Sequence, residues 1–463
     1  MSEIVSRLSW PAAALILLSI AFNDGRCDAQ GRVVGYYASW NSSALPHTEV
    51  KFADLTDIIV AFGTPDSDGA ISYDSGIPFP QLVAAAHSAG TRVLISLGGA
   101  GSGTAFSIAT SDSAKRANLI SNVVSFLKAN DYDGVDIDWE TPTNSIETGQ
   151  LTSLIQELRA RFDAVDTSWL ITMTLPPTEY GGQYFDIRSL VNYVDWFNVM
   201  CYDFVGSWSA YSGQNSPLYE SPNDPNQAGS DSDAVAYWLA RSGRGAAIPR
   251  NKLVVGVPFY AVQFNAPGLY RKLTNTTTSN PYYPDVMNDL SYGWSYHWDE
   301  VSQVPYLVNS DTTGFITFED TNSVKLKVDY VLRQQLGGIM IWELSQDLYQ
   351  GHQPLFDAIA GAMRSATPVL GEPLVATGYK LFANYPNPFN PTTIVRFSVP
   401  GSGLVRISVY DVLGQLVTTL VDGRVDAGEH EVTFSGNGLS SGVYFYIMTA
   451  NGFVQTRKML LLK

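Results

Sequence analysis

The stretch "DGVDIDWE", residues 133–140, sets three carboxyls, Asp136, Asp138 and Glu140, in alternation with Val135, Ile137 and Trp139. Strand side chains point to opposite faces with a period of two, so one face of this run is acidic and the other apolar. A solvent-facing acidic edge or a calcium site would account for the acids alone. Calcium loops, however, use glycine-bent oxygen ligands, whereas this run is β-branched and straight.

The surrounding chain decides what such a strand belongs to. Short apolar runs recur as "RVVGYY" at 32, "DIIVAFG" at 57, "RVLISLGG" at 92, "LITMTL" at 170, "WFNVMCYD" at 196, "KLVVGVPF" at 252 and "GGIMIW" at 337, which with "DGVDIDWE" makes eight strand candidates. Segments such as "FPQLVAAAHSAG", "AKRANLISNVVSFLKAND" and "IETGQLTSLIQELRARF" lie between them and repeat apolar residues at helical spacing. Strand–helix alternation repeated eight times predicts an α/β fold, a (β/α)8 TIM barrel. An open doubly wound sheet is the alternative, but "GGAGSG" at 98 lacks the GxGxxG spacing of its phosphate loop and reads better as a turn over a sugar site.

In a barrel the apolar face of 135–139 packs on helices and the acidic face turns inward, with Glu140 at the C-terminal mouth where such folds carry their chemistry. Carboxyls this close cannot all ionise cheaply. At least one should hold its proton near neutral pH, which is what a general acid requires.

Composition bounds the partners. The 463 residues are 45% hydrophobic and 16% charged, with Trp 10, Tyr 25 and Phe 21, a globular composition rich in flat rings and long enough for two domains. Acidic residues outnumber basic ones 44 to 28, a net charge of -16, which excludes a basic stripe for nucleic acid or anionic membrane and suits a neutral ligand. Arg7 precedes an apolar run from Trp10 to Phe22 and a small-x-small "CDA" ending at Ala29, so residues 1–29 are expected to be a signal peptide; the run is too short to span a membrane, and no later segment is long enough. Cleavage there removes Cys27 and leaves Cys201 alone, so no internal disulfide is expected; five scattered histidines offer no zinc spacing, and no metal or cofactor is expected.

The interval from Phe259 to Leu336 is too long for one connection and carries "PYYPD", "SYGWSYHWDE" and "GFITFED". A small α+β insertion at about 259–320 is expected within a barrel spanning 30–361, where it would wall the cleft. Residues 362–380 read as a linker. Beyond it, "TTIVRFSVP", "LVRISVYD", "HEVTFSG" and "GVYFYIMTA" alternate cleanly, with Val395, Phe397 and Val399 on one face and Val405, Ile407 and Val409 on another. A C-terminal β-sandwich of immunoglobulin-like type is expected over 381–463.

"DGVDIDWE" also resembles the DxxDxDxE signature of family 18 glycoside hydrolases, the chitinase family. "ISLGG" at 95 is similar to that family's SxGG segment, "FNVMCYDFVGSW" at 197 to its MxYD segment and "GGIMIWELSQD" at 337 to its last strand; "GYYASW", "SGQNSPLY", "GVPFY", "VPYL" and "GFITFED" also fall in family order, over about residues 32–348. The resemblance implies retaining hydrolysis of β-1,4-linked N-acetylglucosamine chains, chitin or its oligomers, without an enzyme nucleophile. It implies that Glu140 protonates the leaving oxygen while the substrate's acetamido oxygen attacks to give an oxazolinium ion. Asp138 would orient the acetamido group, Asp136 would share a proton with it, and Tyr202 would hold the acetamido oxygen. Asp203 and Met200 would complete that wall, with Trp342 as the floor under the sugar. Tyr36, Phe62, Trp208 and Trp298 are further stacking candidates, ordinary packing being the alternative for each.

The chain departs from the family pattern at Ala100, Gln214 and Val262, where tryptophan, histidine and arginine are common, which bears on subsite affinity and substrate length. Within the same chemistry an endo-β-N-acetylglucosaminidase is the alternative. A non-catalytic chitin-binding lectin usually lacks the acid that Glu140 supplies here, and a surface adhesion protein would not explain the ordered barrel motifs. "NYPNPFNPTT", residues 384–393, with the end "RKMLLLK", resembles the C-terminal sorting domain of the type IX secretion system. That resemblance implies export through the periplasm of a Gram-negative bacterium to the surface or medium, with the secretion machinery as a partner; a monomer is expected.

Overall fold

The computed structural model describes residues 31–240, 248–273, 275–365 and, apart from 383, 385–386, 388 and 426–427, residues 379–462. The expected signal peptide and residues 366–378 of the expected linker lie outside the described residues. The chain divides into two units at residues 367/368.

In the first unit, eight parallel strands follow the eight runs read above: β1 (Arg32–Ala38), β2 (Asp57–Pro65), β3 (Arg92–Gly99), β4 (Gly134–Trp139), β5 (Leu170–Leu175), β6 (Trp196–Val199), β7 (Leu253–Pro258) and β8 (Gly338–Trp342). Each pairs with the next in chain order, and β8 returns to β1 in the register Arg32↔Gly338 to Gly35↔Ile341. That ladder closes the barrel and rules out the open sheet. Ile71–Tyr73 adds one antiparallel strand outside β2.

Alternation along β4 sorts its side chains as their chemistry demands. Val135, Ile137 and Trp139 are buried in the core between barrel and helices, against the helices Ser113–Asn130 and Ser145–Asp163, with Trp139 stacked on Phe106 at 5.1 Å. Those helices start at Asp112 and Asn144, whose side chains accept the free backbone N–H groups of the first turn. Inside the barrel, Trp196 forms a plug, its ring beneath the guanidinium groups of Arg32 and Arg92 at 4.7 and 5.8 Å.

Between β7 and β8 an antiparallel sheet of five strands runs in the order Thr278–Ser279, Val262–Phe264, Phe315–Thr317, Val304–Asn309, Trp294–Asp299, with the helix Tyr283–Ser291 beside it. One set of its residues (Ala261, Val286, Leu307, Ile316, Phe318) forms a separate small core, while Val262, Phe264 and Phe315 join the apolar cluster that holds Tyr202 and Tyr260. The insertion is thereby fixed to the barrel mouth.

In the second unit, sheets of three strands (Lys380–Leu381, Thr392–Val399, Gly428–Ser435) and four strands (Leu416–Val425, Gly403–Tyr410, Gly442–Ala450, Phe453–Leu461) share one core, in which Val395, Phe397, Val399, Val405, Ile407 and Val409 are buried. Leu416–Val425 and Phe453–Leu461 were not legible as strands, because the first alternates without a clearly apolar face and the second is largely polar until its end.

Candidate active site

The C-terminal ends of the strands surround a cleft of about 580 Å³. Every strand or the loop after it contributes: Tyr36 and Trp40 from β1, Phe62 from β2, Gly98 and Ala100 from β3, Asp138 and Glu140 from β4, Thr174 from β5, Met200, Tyr202 and Asp203 from β6, Tyr260 from β7, and Trp342 and Gln346 from β8. Asn280 and Tyr282 of the insertion close one side. Phe62, Glu140 and Trp342 each border a non-proline cis peptide bond.

Asp136 lies below the cleft, fully buried, within a ring of hydroxyls. Its carboxylate accepts from Tyr36 Oη at 2.8 Å, Ser96 Oγ at 2.8 Å, Thr172 Oγ1 at 2.6 Å and Thr174 Oγ1 at 3.3 Å. Burial raises its pKa, and these donors oppose the rise by stabilising the anion. Asp138, one pleat higher, is held well above the ordinary carboxyl range by burial and then by the charges of Glu140 and Asp136; its Oδ1 is buried with no partner. Glu140 is pushed from 4.5 to about 7, chiefly by burial and secondly by Asp203. The strand thus presents a buried carboxyl ringed by hydroxyl donors at its base and, toward the mouth, two carboxyls whose ionisation burial opposes, of which Glu140 is poised near neutral pH.

The glycines of "SLGG" have a physical reason. A Cβ on Gly98, at φ +126°, would stand 1.9 Å from the Asp138 carbonyl oxygen, and one on Gly99 would meet the Phe62 ring at 2.7 Å. Only bare backbone lets β3 approach β4 this closely.

Across the cleft, Tyr202 is buried edge-on to Tyr260, with ring centroids 6.1 Å apart. Burial, with the charges of Asp138, Asp203 and Glu140, pushes its hydroxyl well above its usual value, so it remains a neutral donor. Tyr260 Oη donates to Asp203 Oδ1 at 2.5 Å. Trp342 packs on Tyr36 at 5.3 Å and stacks on Phe62 at 5.8 Å, and Phe62 in turn stacks on Trp40 at 5.8 Å. Trp40 is 48% exposed, so the row of rings runs from the buried floor to solvent.

Of the residues singled out in the sequence, Glu140, Asp138, Tyr202, Asp203, Met200, Trp342, Tyr36 and Phe62 line the cleft, and Asp136 supports it from below. Trp208 and Trp298 are not among the lining residues. Trp208 is 67% exposed, with its ring folded over Gly206, and Trp298 sits on the insertion strand opposite Pro305. Sequence reasoning passed over Trp40, Tyr260, Tyr282, Asn280 and Gln346. For Trp40 and Tyr260 a signal existed, since each ends a segment ("GYYASW", "GVPFY") just past a strand. Of the three departures only Ala100 lines the cleft; Gln214 and Val262 are buried outside it. Among the described residues no group of three or more His, Cys, Asp and Glu is disposed to hold a metal ion, and no helix is long and apolar enough to cross a membrane.

Comparison with known proteins places the family and the fold. The chain is 30% identical over 285 residues to Chitinase A1 of Niallia circulans, covering 55% of this chain and 40% of that protein. It is 28% identical over 384 residues to the Endochitinase of Manduca sexta, covering 73% and 68%. Catalytic domain 2 of the Group II chitinase of Ostrinia furnacalis, solved as a mutant in complex with penta-N-acetylchitooctaose, superposes with a TM-score of 0.66 at 25% identity, covering 73% of this chain and 97% of that one. Residues 383–462 match the Secretion system C-terminal sorting domain. With residues 32–347 matching Glycosyl hydrolases family 18 over all eight barrel strands and the cleft, the chain belongs to that family and carries a type IX sorting domain behind it.

Proposed function

We propose that the protein is a chitinase, hydrolysing β-1,4-linked N-acetylglucosamine chains with retention through an oxazolinium intermediate. The observation that carries this reading is the single cleft that brings together Glu140, pushed up to about 7 by burial, the buried Asp138 whose Oδ1 has no partner, the donor Tyr202 and the ring of Trp342.

A sugar seated on Trp342 places its acetamido group between Asp138 and Tyr202. Tyr202 donates to the acetamido oxygen and Asp138 accepts from the acetamido N–H, satisfying the Oδ1 that otherwise has no partner. Glu140 gives its proton to the glycosidic oxygen as the acetamido oxygen attacks the anomeric carbon; the bond to the leaving sugar breaks and the oxazolinium ion forms. The carboxylate of Glu140 then takes a proton from water as the water oxygen attacks the same carbon from the vacated face; the bond from that carbon to the acetamido oxygen breaks, its electron pair restores the acetamido group, and Glu140 is again an acid. Asp136, raised by burial against the opposing effect of its hydroxyl donors, accepts the proton of Asp138 when Asp138 must carry charge beside the oxazolinium ion. The exposed end of the ring row at Trp40 offers further sugar contacts.

For the rest of the chain we propose a catalytic unit that runs to the end of the helix Pro354–Ser365, four residues past the 361 expected from the sequence because Met363 is buried in its core, then a linker, and an immunoglobulin-like sandwich that begins at the strand Lys380–Leu381. A cleaved signal at 1–29 and the sorting domain would carry a monomer across the periplasm to the cell surface or beyond. Time-resolved NMR of product anomers from N-acetylglucosamine oligomers tests the chemistry. Initial β-anomers that disappear in Glu140→Gln support it; α-anomers or intact oligomers overturn it, and release of glycans from glycoproteins instead would move the substrate to that class.

A further inference from the structure

Behind the loop that carries Tyr202 and Asp203 lies a closed group of buried polar side chains that the mechanism above leaves unused. Lys327, on the helix Thr321–Arg333, is completely buried. Its ammonium meets Glu319 Oε1 at 2.6 Å and Asp231 Oδ2 at 2.9 Å, and donates to the Ser216 carbonyl oxygen at 2.6 Å and to Ser216 Oγ at 2.5 Å. Glu319 ends the insertion, and Asp231 opens the helix Asp231–Leu239. An ammonium taken wholly out of water needs such partners, yet apolar groups of similar size generally stabilise a core as well. Stability alone therefore does not account for a lysine here.

The contacts that leave the group point to another role. Ser216 Oγ, which accepts from Lys327, donates to the carbonyl oxygen of Cys201 at 2.5 Å, one residue before Tyr202. Asn215 takes the next two positions: its Oδ1 accepts from Asp203 N at 3.0 Å and its carbonyl oxygen from Phe204 N at 3.2 Å. Asn215 N in turn donates to Thr317 Oγ1 at 3.0 Å. Asp203 stands at φ +58°, a left-handed conformation that a residue with a Cβ keeps only where its surroundings hold it. The segment bearing two groups of the cleft is thus anchored at Cys201, Asp203 and Phe204 to one dipeptide, and that dipeptide is anchored to Lys327 and the insertion.

We infer that Lys327 and Ser216 are positioning residues, which act through the Cys201 carbonyl to hold Tyr202 and Asp203 against Glu140. The inference rests on the chitinase reading for its kinetic consequences, but its geometric content does not. Glu140 faces Asp138 on its own strand and Tyr202 and Asp203 from the loop after β6, with Tyr260 behind Asp203. If the loop recedes, the repulsion from Asp203 weakens and Glu140 loses its proton at lower pH.

The test compares full-length wild type with Ser216→Ala, which keeps every ion pair of Lys327, and with Lys327→Met. Expected for both is a kcat lower by roughly ten- to hundredfold with KM changed less than about threefold, the signature of misplaced groups rather than lost binding. The Glu140 titration, followed by 13C NMR of labelled glutamate, should fall below its wild-type midpoint in both. A folded Ser216→Ala chain with wild-type kcat and an unmoved Glu140 titration overturns the inference, as does one that fails to fold, which would leave the group a structural staple. An inactive wild type whose Glu140 titration still falls in the variants would overturn the chitinase reading alone.

Discussion

Asp203→Asn isolates the charge that acts on the acid from outside its own strand. Glu140 rises from 4.5 to about 7, and at 1.36 kcal/mol per pH unit that is roughly 3 kcal/mol of disfavoured ionisation. Burial is the larger cause and Asp203 the smaller, so removing the charge should return less than half of it, below about 1.5 kcal/mol or roughly one pH unit. The sign follows from the role. An acid works protonated, so activity is lost as pH rises through its pKa, and a lower pKa moves that loss to lower pH. The alkaline limb of kcat/KM should therefore fall from near 7 to no lower than about 6 by this accounting. The amide oxygen of the variant keeps a partner for Tyr260 Oη, so the loop should not be displaced by a lost hydrogen bond. Initial rates on a soluble N-acetylglucosamine tetramer across pH 4–9 would read the limb directly. A limb that stays where it was, or moves upward, refutes the assignment of Asp203 as the outer charge on Glu140.

Three further outcomes follow from the same geometry. Glu140→Gln should lower kcat by roughly 10²–10⁴-fold; it should also raise Tm at pH 8 by removing up to about 3 kcal/mol of buried ionisation, with no gain at pH 4, where the wild-type carboxyl is protonated folded and largely protonated unfolded. Thermal unfolding at both pH values checks this, and equal gains at both would contradict it. Trp40→Ala opens the outer end of the ring row, so KM for pentamers and hexamers should rise about fivefold while that for trimers stays unchanged, on an aromatic contact of about 1 kcal/mol; a uniform change with chain length would place Trp40 outside the binding path. Gly98→Ala cannot be accommodated, because its Cβ would overlap the Asp138 carbonyl oxygen at 1.9 Å, and soluble, cooperatively unfolding protein from that variant would show that β3 and β4 can separate.

The parts of this molecule that sequence discloses are those governed by a short period. Alternation in 133–140 sorted Asp136, Asp138 and Glu140 from Val135, Ile137 and Trp139, and the structure places the first set inward and the second in the helix-facing core. Eight such runs with helical segments between them predict parallel strands covered by helices, a pattern that an open sheet shares; the ladder between β8 and β1 is what closes them into a barrel. Trp40 and Tyr260 were harder, since both follow a strand and their directions are set by the loop. Leu416–Val425 has no fully buried position, so no apolar face of its own marks it as a strand.

What alternation cannot disclose is which polar residues share a hidden layer. Gln214 reads in the sequence as a lost histidine of a subsite, yet it is 3% exposed, accepts from Thr317 Oγ1 at 2.7 Å and reaches toward Asp299, so it fastens the loop after β6 to the insertion instead of touching the cleft. Its partner lies 103 residues away; Lys327 and Ser216 are separated by 111 and Tyr36 and Asp136 by 100. A buried hydroxyl, amide or ammonium is tolerated only where such a partner arrives, and closing the barrel is what brings these together. The insertion is therefore more than a wall. Thr317 accepts from Asn215 N and Glu319 pairs with Lys327, which holds Ser216, so the sequence between β7 and β8 helps determine where Tyr202 and Asp203 stand, although neither residue belongs to it.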